Sequence, residues 1–179
     1  MTIYGLQRDC LDWIASYLTD RKQAVWIDHV LSDWLDVEVG VPQGSILGPL
    51  LFIIFANDLP YSLTCSLDTY ADDSTLTSTH TSTNEINLDM SENCQHVSTW
   101  MSENKLCLNA DKTHLMIAGT SQRLQTMDLD TIDISMDGFK LSESVEKYET
   151  LLGVNFQPDL KWGKHMVELE SKLKTKYIN

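Results

Sequence analysis

Two adjacent carboxylates form the part of the sequence best suited to chemistry. Asp72 and Asp73 follow Tyr70 and Ala71, between two short stretches of high β propensity. We therefore expect the pair at a tight strand–turn–strand junction. Like charges so close disfavour each other or attract a counter-ion, and a divalent cation is the usual occupant of such a site. Aspartate is also a common turn residue, so the pair alone leaves two interpretations open: a cation site and an ordinary polar turn.

The loop before this junction has the composition of a ligand-contacting turn. Residues 40–45 contain two glycines and a proline, and an apolar segment follows that we expect to be helical from about Ile46 or Pro49. Glycine lets the backbone approach a ligand without a Cβ in the way, and a helix start offers free N–H groups to phosphate. On its own this loop is a signal of low specificity.

Several motifs occur together along the chain. They are GVPQGSILGPLLF at 40–52, NDLP at 57–60, YADD at 70–73, LCLNADKT at 106–113, LGV at 152–154, and Trp162 with His165. In this order they resemble the reverse transcriptase of a non-LTR (LINE-type) retrotransposon over almost the whole chain. A group II intron-type maturase is a less close resemblance, because the first two motifs are LINE-like.

The resemblance implies roles for the acidic turn and the glycine-containing loop. Asp72 corresponds to a metal ligand of the family, and Asp73 to its companion. The implied nucleotide- and template-contacting residues are Gln43, Gly44, Ser45, Tyr70 and Ala71. The implied cofactor is Mg²⁺ (or Mn²⁺). An RNA template, a DNA primer and a deoxynucleotide are the implied partners of the intact enzyme.

A lysine and a histidine also fall on family positions. Lys112 resembles a lysine that lies near the nucleotide triphosphate and assists proton transfer to pyrophosphate. A solvated lysine on an acidic protein is the alternative interpretation. His165 resembles a position after the tryptophan of the last motif, where we expect packing rather than catalysis.

The charge distribution is unusual for a protein that holds nucleic acid. A net charge of −13 over 179 residues has the wrong sign for binding a phosphate backbone. Residues 161–179 carry five lysines and two glutamates, a net charge of +3, so residues 1–160 carry −16. We therefore expect weak or no nucleic-acid binding by this chain alone.

The resemblance also implies that the domain is incomplete. The family's other essential aspartate belongs to motif A, which precedes the Tyr-Gly-Leu-like segment at residues 4–6, and no Asp-x-x-x-Ala-Phe-Asp-like run occurs in the sequence. The fingers would precede Met1, and most of the thumb would follow Asn179. We expect the isolated chain to be catalytically inactive. The alternative is a non-enzymatic interaction protein derived from a captured palm remnant.

The implied fold is α+β, a partial reverse transcriptase palm at residues 1–160. An antiparallel sheet would hold the Asp72 hairpin, with helices packed on one of its faces. Residues 161–179 would form a basic helix at the start of the thumb.

Periodicity predicts the elements that position these residues. The predicted helices include residues 6–19, whose apolar face we expect to pack on the core, and a helix opened by a capping box at 82–85. The apolar stripe of this second helix is also expected in the core and consists of Ile86, Met90, Cys94, Val97 and Met101. A final helix has an apolar stripe from Trp162 to Tyr177. The predicted strands are 23–30 and 34–39 around a turn at 29–33, one within 105–119, and 131–136, 139–141 and 151–156. Asp137-Gly138 predicts a hairpin turn, and residues 120–130 a surface loop.

The cellular location is predicted from targeting signals, apolar runs and cysteine spacing. The start shows no secretory signal, and no apolar run reaches the eighteen or so residues of a membrane span. Four scattered cysteines without a Cys-x-x-Cys pair predict reduced thiols. We therefore expect an intracellular protein, nuclear or cytoplasmic, that is neither secreted nor bound to a membrane.

Overall fold

A computed structural model describes residues 5–141 and 148–177. The helices are α1 (Arg8–Leu18), α2 (Leu47–Ala56), α3 (Thr83–Glu103), α4 (Ser121–Thr126) and α5 (Gly163–Tyr177), with 3₁₀ turns at Leu59–Ser62, Ala110–Lys112 and Leu129–Thr131. The strands are β1 (Arg21–Gln23), β2 (Trp26–Ile27), β3 (Val30–Leu31), β4 (Leu35–Val37), β5 (Ser66–Tyr70), β6 (Asp73–Thr77), β7 (Ser135–Met136), β8 (Phe139–Lys140), β9 (Glu149–Leu151) and β10 (Val154–Phe156).

The described residues form two compact units. The first contains the residues up to Asp58 together with Tyr70–Asp73. The second contains Leu59–Thr69 and the described residues from Ser74 onward. No helix in residues 5–141 and 148–177 is long and apolar enough to cross a membrane.

Every sheet in the described residues has two strands. The pairs are β1–β4, β2–β3, β5–β6, β7–β8 and β9–β10. The mixture of helices and antiparallel strands agrees with the predicted α+β class. The strands are two to five residues long, and β5–β6 pairs with no further strand among the described residues, so the structure does not confirm the predicted palm.

In the described part of the chain, three hairpins turn through two residues that both have positive φ, as type I′ turns require. These residue pairs are Asp28-His29, Asp137-Gly138 and Leu152-Gly153. The prediction at Asp137-Gly138 is confirmed. The turn predicted at 29–33 lies earlier, and the strand predicted at 151–156 is divided by a turn into β9 and β10.

Helix α3 carries the core of the second unit. It begins with the predicted capping box, in which Ser82 Oγ accepts from the Glu85 N–H and the Glu85 carboxylate accepts from the Ser82 N–H. Cys94 and Val97 are buried on its apolar face, and Ile134 is completely buried against it. The core cluster is Leu59, Cys94, Val97, Ile132, Ile134, Met136 and Leu141.

The segment between α3 and β7 differs from its predicted structure. The strand expected within 105–119, with Leu115 and Ile117 on one face, is reduced to a single bridge at Leu115. Leu115 and Ile117 both pack against the core. The expected loop at 120–130 contains α4, because the Thr120 hydroxyl accepts from the Arg123 N–H and caps the helix. Propensity alone did not indicate this short capped helix.

The helices of the first unit leave most of their apolar surface exposed. Helix α1 forms as predicted but contains no buried residue, so the expected core-facing packing is wrong for Trp13, which is 58% exposed. Helix α2 is apolar along its whole length, yet Ile53 is 64% exposed. An open groove of about 410 Å³ lies between them, lined by Leu6, Asp9, Cys10, Trp13, Ile14, Leu47, Leu50, Leu51 and Ile54.

Helix α5 packs on the β9–β10 hairpin through buried Asn155. The Asn155 side-chain amide donates to the Glu168 carboxylate and accepts from the Thr150 hydroxyl at 2.7 Å. The Asn155 backbone N–H points to His165 Nδ1 at 3.4 Å, which agrees with the packing role expected for that histidine. The apolar stripe of α5 remains exposed at Leu173.

Candidate active site

The acidic pair lies at the tip of the β5–β6 hairpin, as predicted. Ala71 and Asp72 form the two-residue loop, and Asp73 begins β6. Ala71 has φ +54°, whereas the φ of Asp72 is not positive. This is the pattern of a type II′ turn, in which glycine is the preferred first loop residue.

Both carboxylates at this tip are exposed. All four residues of the tip are exposed: Tyr70, Ala71, Asp72 and Asp73. Among the residues that the structure describes, neither aspartate forms an ion pair or a side-chain hydrogen bond. The oxygens of Asp72 and Asp73 are therefore available to a ligand from solvent.

The loop before α2 is a tight turn centred on Gln43 and Gly44. The Ser45 N–H donates to the Pro42 carbonyl at 3.2 Å, and Gly44 has φ +77°. A Cβ at Gly44 would meet no atom within 4 Å, so one face of the turn is open. Gln43 is exposed beside it, and the turn can present an amide side chain next to bare backbone.

Ser45 has a structural role in this turn. Its hydroxyl accepts from the Gly48 N–H at 3.0 Å, which satisfies one of the free donors at the start of α2. A Cβ at Gly48 would lie 2.8 Å from Ser45 Oγ and 3.2 Å from a Val41 methyl carbon, so only glycine fits without displacement. The Ser45–Gly48 hydrogen bond thereby links the turn to the start of α2.

Lys112 belongs to the second unit and lies apart from these two turns in the sequence. It ends the 3₁₀ turn Ala110–Lys112, and its backbone N–H donates to the Asn109 carbonyl at 3.1 Å. Its side chain is exposed, and within the described ranges it forms no ion pair. The structure thus leaves the ammonium free for an anion without assigning one.

The chemistry of the acidic tip fits a hard divalent cation. Mg²⁺ is usually bound by one or two carboxylates, with water and phosphate oxygens completing its coordination, and Asp72 with Asp73 supplies such a pair. No cluster of three or more His, Cys, Asp or Glu side chains occurs in residues 5–141 and 148–177. The tip therefore supplies part of a coordination sphere.

A polar cluster at the base of the same hairpin was not predicted. Asn93 is completely buried on α3 and lies where the helical apolar stripe would require a hydrophobic side chain. Its side-chain oxygen accepts from the backbone N–H groups of Thr64 and Cys65. Asp89, one turn earlier, accepts from Ser78. An asparagine within an apolar stripe was the signal that could have indicated this cluster, because a buried amide requires partners.

Hydrogen bonding in this cluster changes the acidity of Asp89. The hydrogen bond from His80 Nε2, at 2.8 Å, is the main reason that the pKa of Asp89 lies below its ordinary value, and the Ser78 hydroxyl adds to the effect. Burial raises the pKa of the Cys94 thiol to about 11. Burial also raises the pKa of the Cys65 thiol, and the negative charge of Asp89 adds to the shift. Asp89 is thus held as a carboxylate, and both thiols are held protonated.

Comparisons with known proteins agree with the resemblance in the motifs. Residues 2–166 match the reverse transcriptase (RNA-dependent DNA polymerase) family. The chain is 32% identical over 86% of its length to the probable RNA-directed DNA polymerase from transposon BS of Drosophila melanogaster. It is 28% identical over 91% of its length to the RNA-directed DNA polymerase from mobile element jockey of Drosophila funebris. No solved structure gives a significant match.

The matched region is a small part of each relative. The chain spans 17% and 18% of the lengths of the transposon BS and jockey proteins. These relatives confirm the resemblance to polymerases of non-LTR retrotransposons and favour it over the interpretation as a captured interaction protein. Because the family match covers nearly all of the sequence, from residue 2 to residue 166, the chain belongs to the reverse transcriptase family.

Proposed function

We propose that this chain contributes the acidic turn and a nucleotide-contacting loop to the palm of a reverse transcriptase. Such an enzyme joins a primer 3′-hydroxyl to a deoxynucleotide on an RNA template. The observation that carries the proposal is the hairpin tip, where Asp72 and Asp73 are exposed and have no competing cation among the described residues. Membership of the family supports it.

The acidic tip would bind Mg²⁺ or Mn²⁺. Divalent cations bound there would lower the pKa of the primer hydroxyl and neutralise the leaving pyrophosphate. Asp72 and Asp73 offer the carboxylate oxygens that hard cations prefer. The exposed ring of Tyr70, directly before the turn, offers a surface on which a base or sugar can pack.

Lys112 and the loop that precedes α2 would both contact the nucleotide and template. The Gln43 amide can both donate and accept a hydrogen bond, and the open face at Gly44 lets a nucleotide approach the backbone. Ser45 holds this turn on α2 while its hydroxyl proton stays available. Lys112 would place a positive charge near the triphosphate.

The isolated chain should bind nucleic acid weakly and incorporate no nucleotide. Its net charge of −13 opposes a phosphate backbone. No third acidic or histidine side chain joins Asp72 and Asp73 in the described ranges, so these two carboxylates alone would have to hold both metal ions. A primer extension assay on an RNA template checks this. Incorporation that Asp72→Ala abolishes would contradict the expected inactivity but would support the role of Asp72.

Paramagnetic broadening by Mn²⁺ tests the metal site directly. In the ¹⁵N-labelled chain, we expect low concentrations of Mn²⁺ to broaden the amide signals of residues 71–73 first. The double variant Asp72→Asn/Asp73→Asn should abolish this broadening. Asp68→Asn, which removes an exposed carboxylate from β5 of the same hairpin, is the matched control and should leave it unchanged.

Non-specific attraction of Mn²⁺ to the acidic surface of the chain is the result that would contradict this assignment. Broadening that spreads over many exposed acidic residues and persists in the double variant would show only general attraction of Mn²⁺ to a negatively charged protein. That result would overturn the assignment of Asp72 and Asp73 as a metal-binding pair.

A further inference from the structure

We propose that Asp89 and Asn93 are positioning residues, which hold the base of the β5–β6 hairpin on α3 and thereby stabilise the two strands that lead to the acidic turn. The inference rests on the proposed function of Asp72 and Asp73. It adds a pair of side chains that contact neither metal nor nucleotide and act through the hairpin backbone.

Asn93 holds the chain where it enters the hairpin. Its Oδ1 accepts from the backbone N–H of Thr64 at 2.9 Å and of Cys65 at 3.3 Å, directly before β5 begins at Ser66. Its Nδ2 donates to the Thr64 hydroxyl at 2.9 Å and to the Asp89 carbonyl at 2.8 Å. The amide is completely buried and fully satisfied.

Asp89 holds the chain where it leaves the hairpin. Its Oδ2 accepts from the Ser78 hydroxyl and from His80 Nε2 at 2.8 Å, directly after β6 ends at Thr77. Its Oδ1 accepts from the Thr64 hydroxyl at 3.1 Å. The carboxylate therefore contacts both the entering and the leaving chain.

Positions 89 and 93 suit this task because they are one helical turn apart. Side chains at i and i+4 lie on the same face of a helix, so α3 presents a carboxylate and an amide side by side. The Asn93 Nδ2 to Asp89 Oδ1 distance of 3.0 Å joins them into one network. Its members lie on the hairpin base and on α3, and both belong to the second unit.

The hairpin needs such an attachment. An isolated two-stranded hairpin is marginally stable in water, and β5 and β6 pair with no further strand within the described part of the chain. Leu67 and Leu76 are only partly buried where they pack against the core. The polar network around Asp89 and buried Asn93 therefore supplies directional restraints on the two strand ends.

Amide hydrogen exchange in the full chain tests the attachment without requiring activity. Asn93→Leu removes the acceptor of two backbone N–H groups, and Asp89→Ala removes the acceptors for Ser78 and His80. Each loss is worth about one order of magnitude in a local opening equilibrium. We expect amides of residues 66–77 to exchange about tenfold faster or more, while the amides of Val97 and Ile134 change less than about twofold.

Three further variants separate positioning from general stability. Glu92→Ala removes an exposed acidic residue from the same helix and should leave hairpin exchange unchanged. Ser78→Ala removes one hydroxyl outside the core cluster. It should accelerate exchange at the end of β6 even if Asn93→Leu unfolds the second unit. Asp89→Asn retains an acceptor oxygen and should restore part of the protection lost in Asp89→Ala.

The outcomes distinguish the two proposals. Hairpin exchange that does not change in Asp89→Ala and Ser78→Ala would overturn the positioning role, whatever Mn²⁺ does. Faster hairpin exchange with Mn²⁺ broadening at residues 71–73 weakened in the same variants would support both proposals. Faster exchange in a protein whose tip never binds Mn²⁺ would keep the attachment and remove the metal assignment.

Discussion

The two units of the chain contain very different amounts of buried apolar surface. In the second unit a continuous core forms around α3, with Ile134 completely buried. In the first unit, Leu51 is the one apolar side chain among the described residues that is buried, and Ile46 is 95% exposed. The candidate ligand-contacting residues Gln43 to Ser45 and the acidic tip belong to the first unit.

The buried core and the candidate ligand-contacting residues thus lie in different units. The second unit has the packing that stabilises a fold, and it also holds the base of the acidic hairpin through Asn93. The first unit presents polar and acidic groups on turns, and the turn before α2 is stabilised by a local hydrogen bond between Ser45 and Gly48. Substitutions of the same kind should therefore have unequal effects in the two units.

The largest difference is expected for isoleucine truncation. Ile134→Ala should lower the free energy of unfolding by about 3–4 kcal/mol, because it removes a completely buried side chain and leaves a cavity. Ile53→Ala, on the exposed face of α2, should change it by about 0.5 kcal/mol or less. Urea unfolding followed by circular dichroism measures both, and equal effects would show that the two units do not differ in packing as described.

An intermediate, pH-dependent effect is expected at the polar network of the second unit. The lowered pKa of Asp89, caused first by the His80 hydrogen bond, means that folding favours the carboxylate form. The resulting stability is present above the unfolded pKa of about 4 and is lost as pH falls through the lower folded value. The urea midpoints of the parent chain and Asp89→Asn should therefore differ at pH 7 and converge below about pH 4.

The control for this pH effect is an exposed acidic residue on the same helix. Glu92→Gln should give a urea midpoint that follows the parent chain across the whole pH range. If the Asp89→Asn difference were constant between pH 7 and pH 3, hydrogen bonding to the ionised carboxylate would not be its source.

Sequence patterns predicted those features that depend on local chemistry. The capping box at Ser82, the turn at Asp137-Gly138 and the placement of Asp72 at a hairpin tip are each set by a few adjacent residues. Hydrophobic periodicity likewise predicted the core-facing stripe of α3, including Cys94. The family was predictable because its motifs occur in order.

Features that depend on contacts distant in sequence were not predictable. Asn93 bonds residues 28 and 29 positions earlier in the chain, and no local pattern specifies such a partner. The exposure of α2 was also missed, since an apolar helix is expected to be buried. Pairing between strands depends on the same long-range contacts, which is why sequence patterns did not indicate that β5–β6 pairs with no further strand in the described residues.

The smallest expected effect concerns the backbone of the acidic turn. Ala71 has φ +54°, a region that costs an L-residue about 1 kcal/mol and glycine little. Ala71→Gly should therefore stabilise the tip by about 0.5 kcal/mol after the greater backbone entropy of unfolded glycine is subtracted. Slower amide exchange at residues 70–73 measures this gain.

Ala15→Gly, in the interior of α1, should instead destabilise that helix by about 1 kcal/mol. Faster exchange at the tip in Ala71→Gly would mean that the Ala71 methyl group contributes more than its backbone conformation costs.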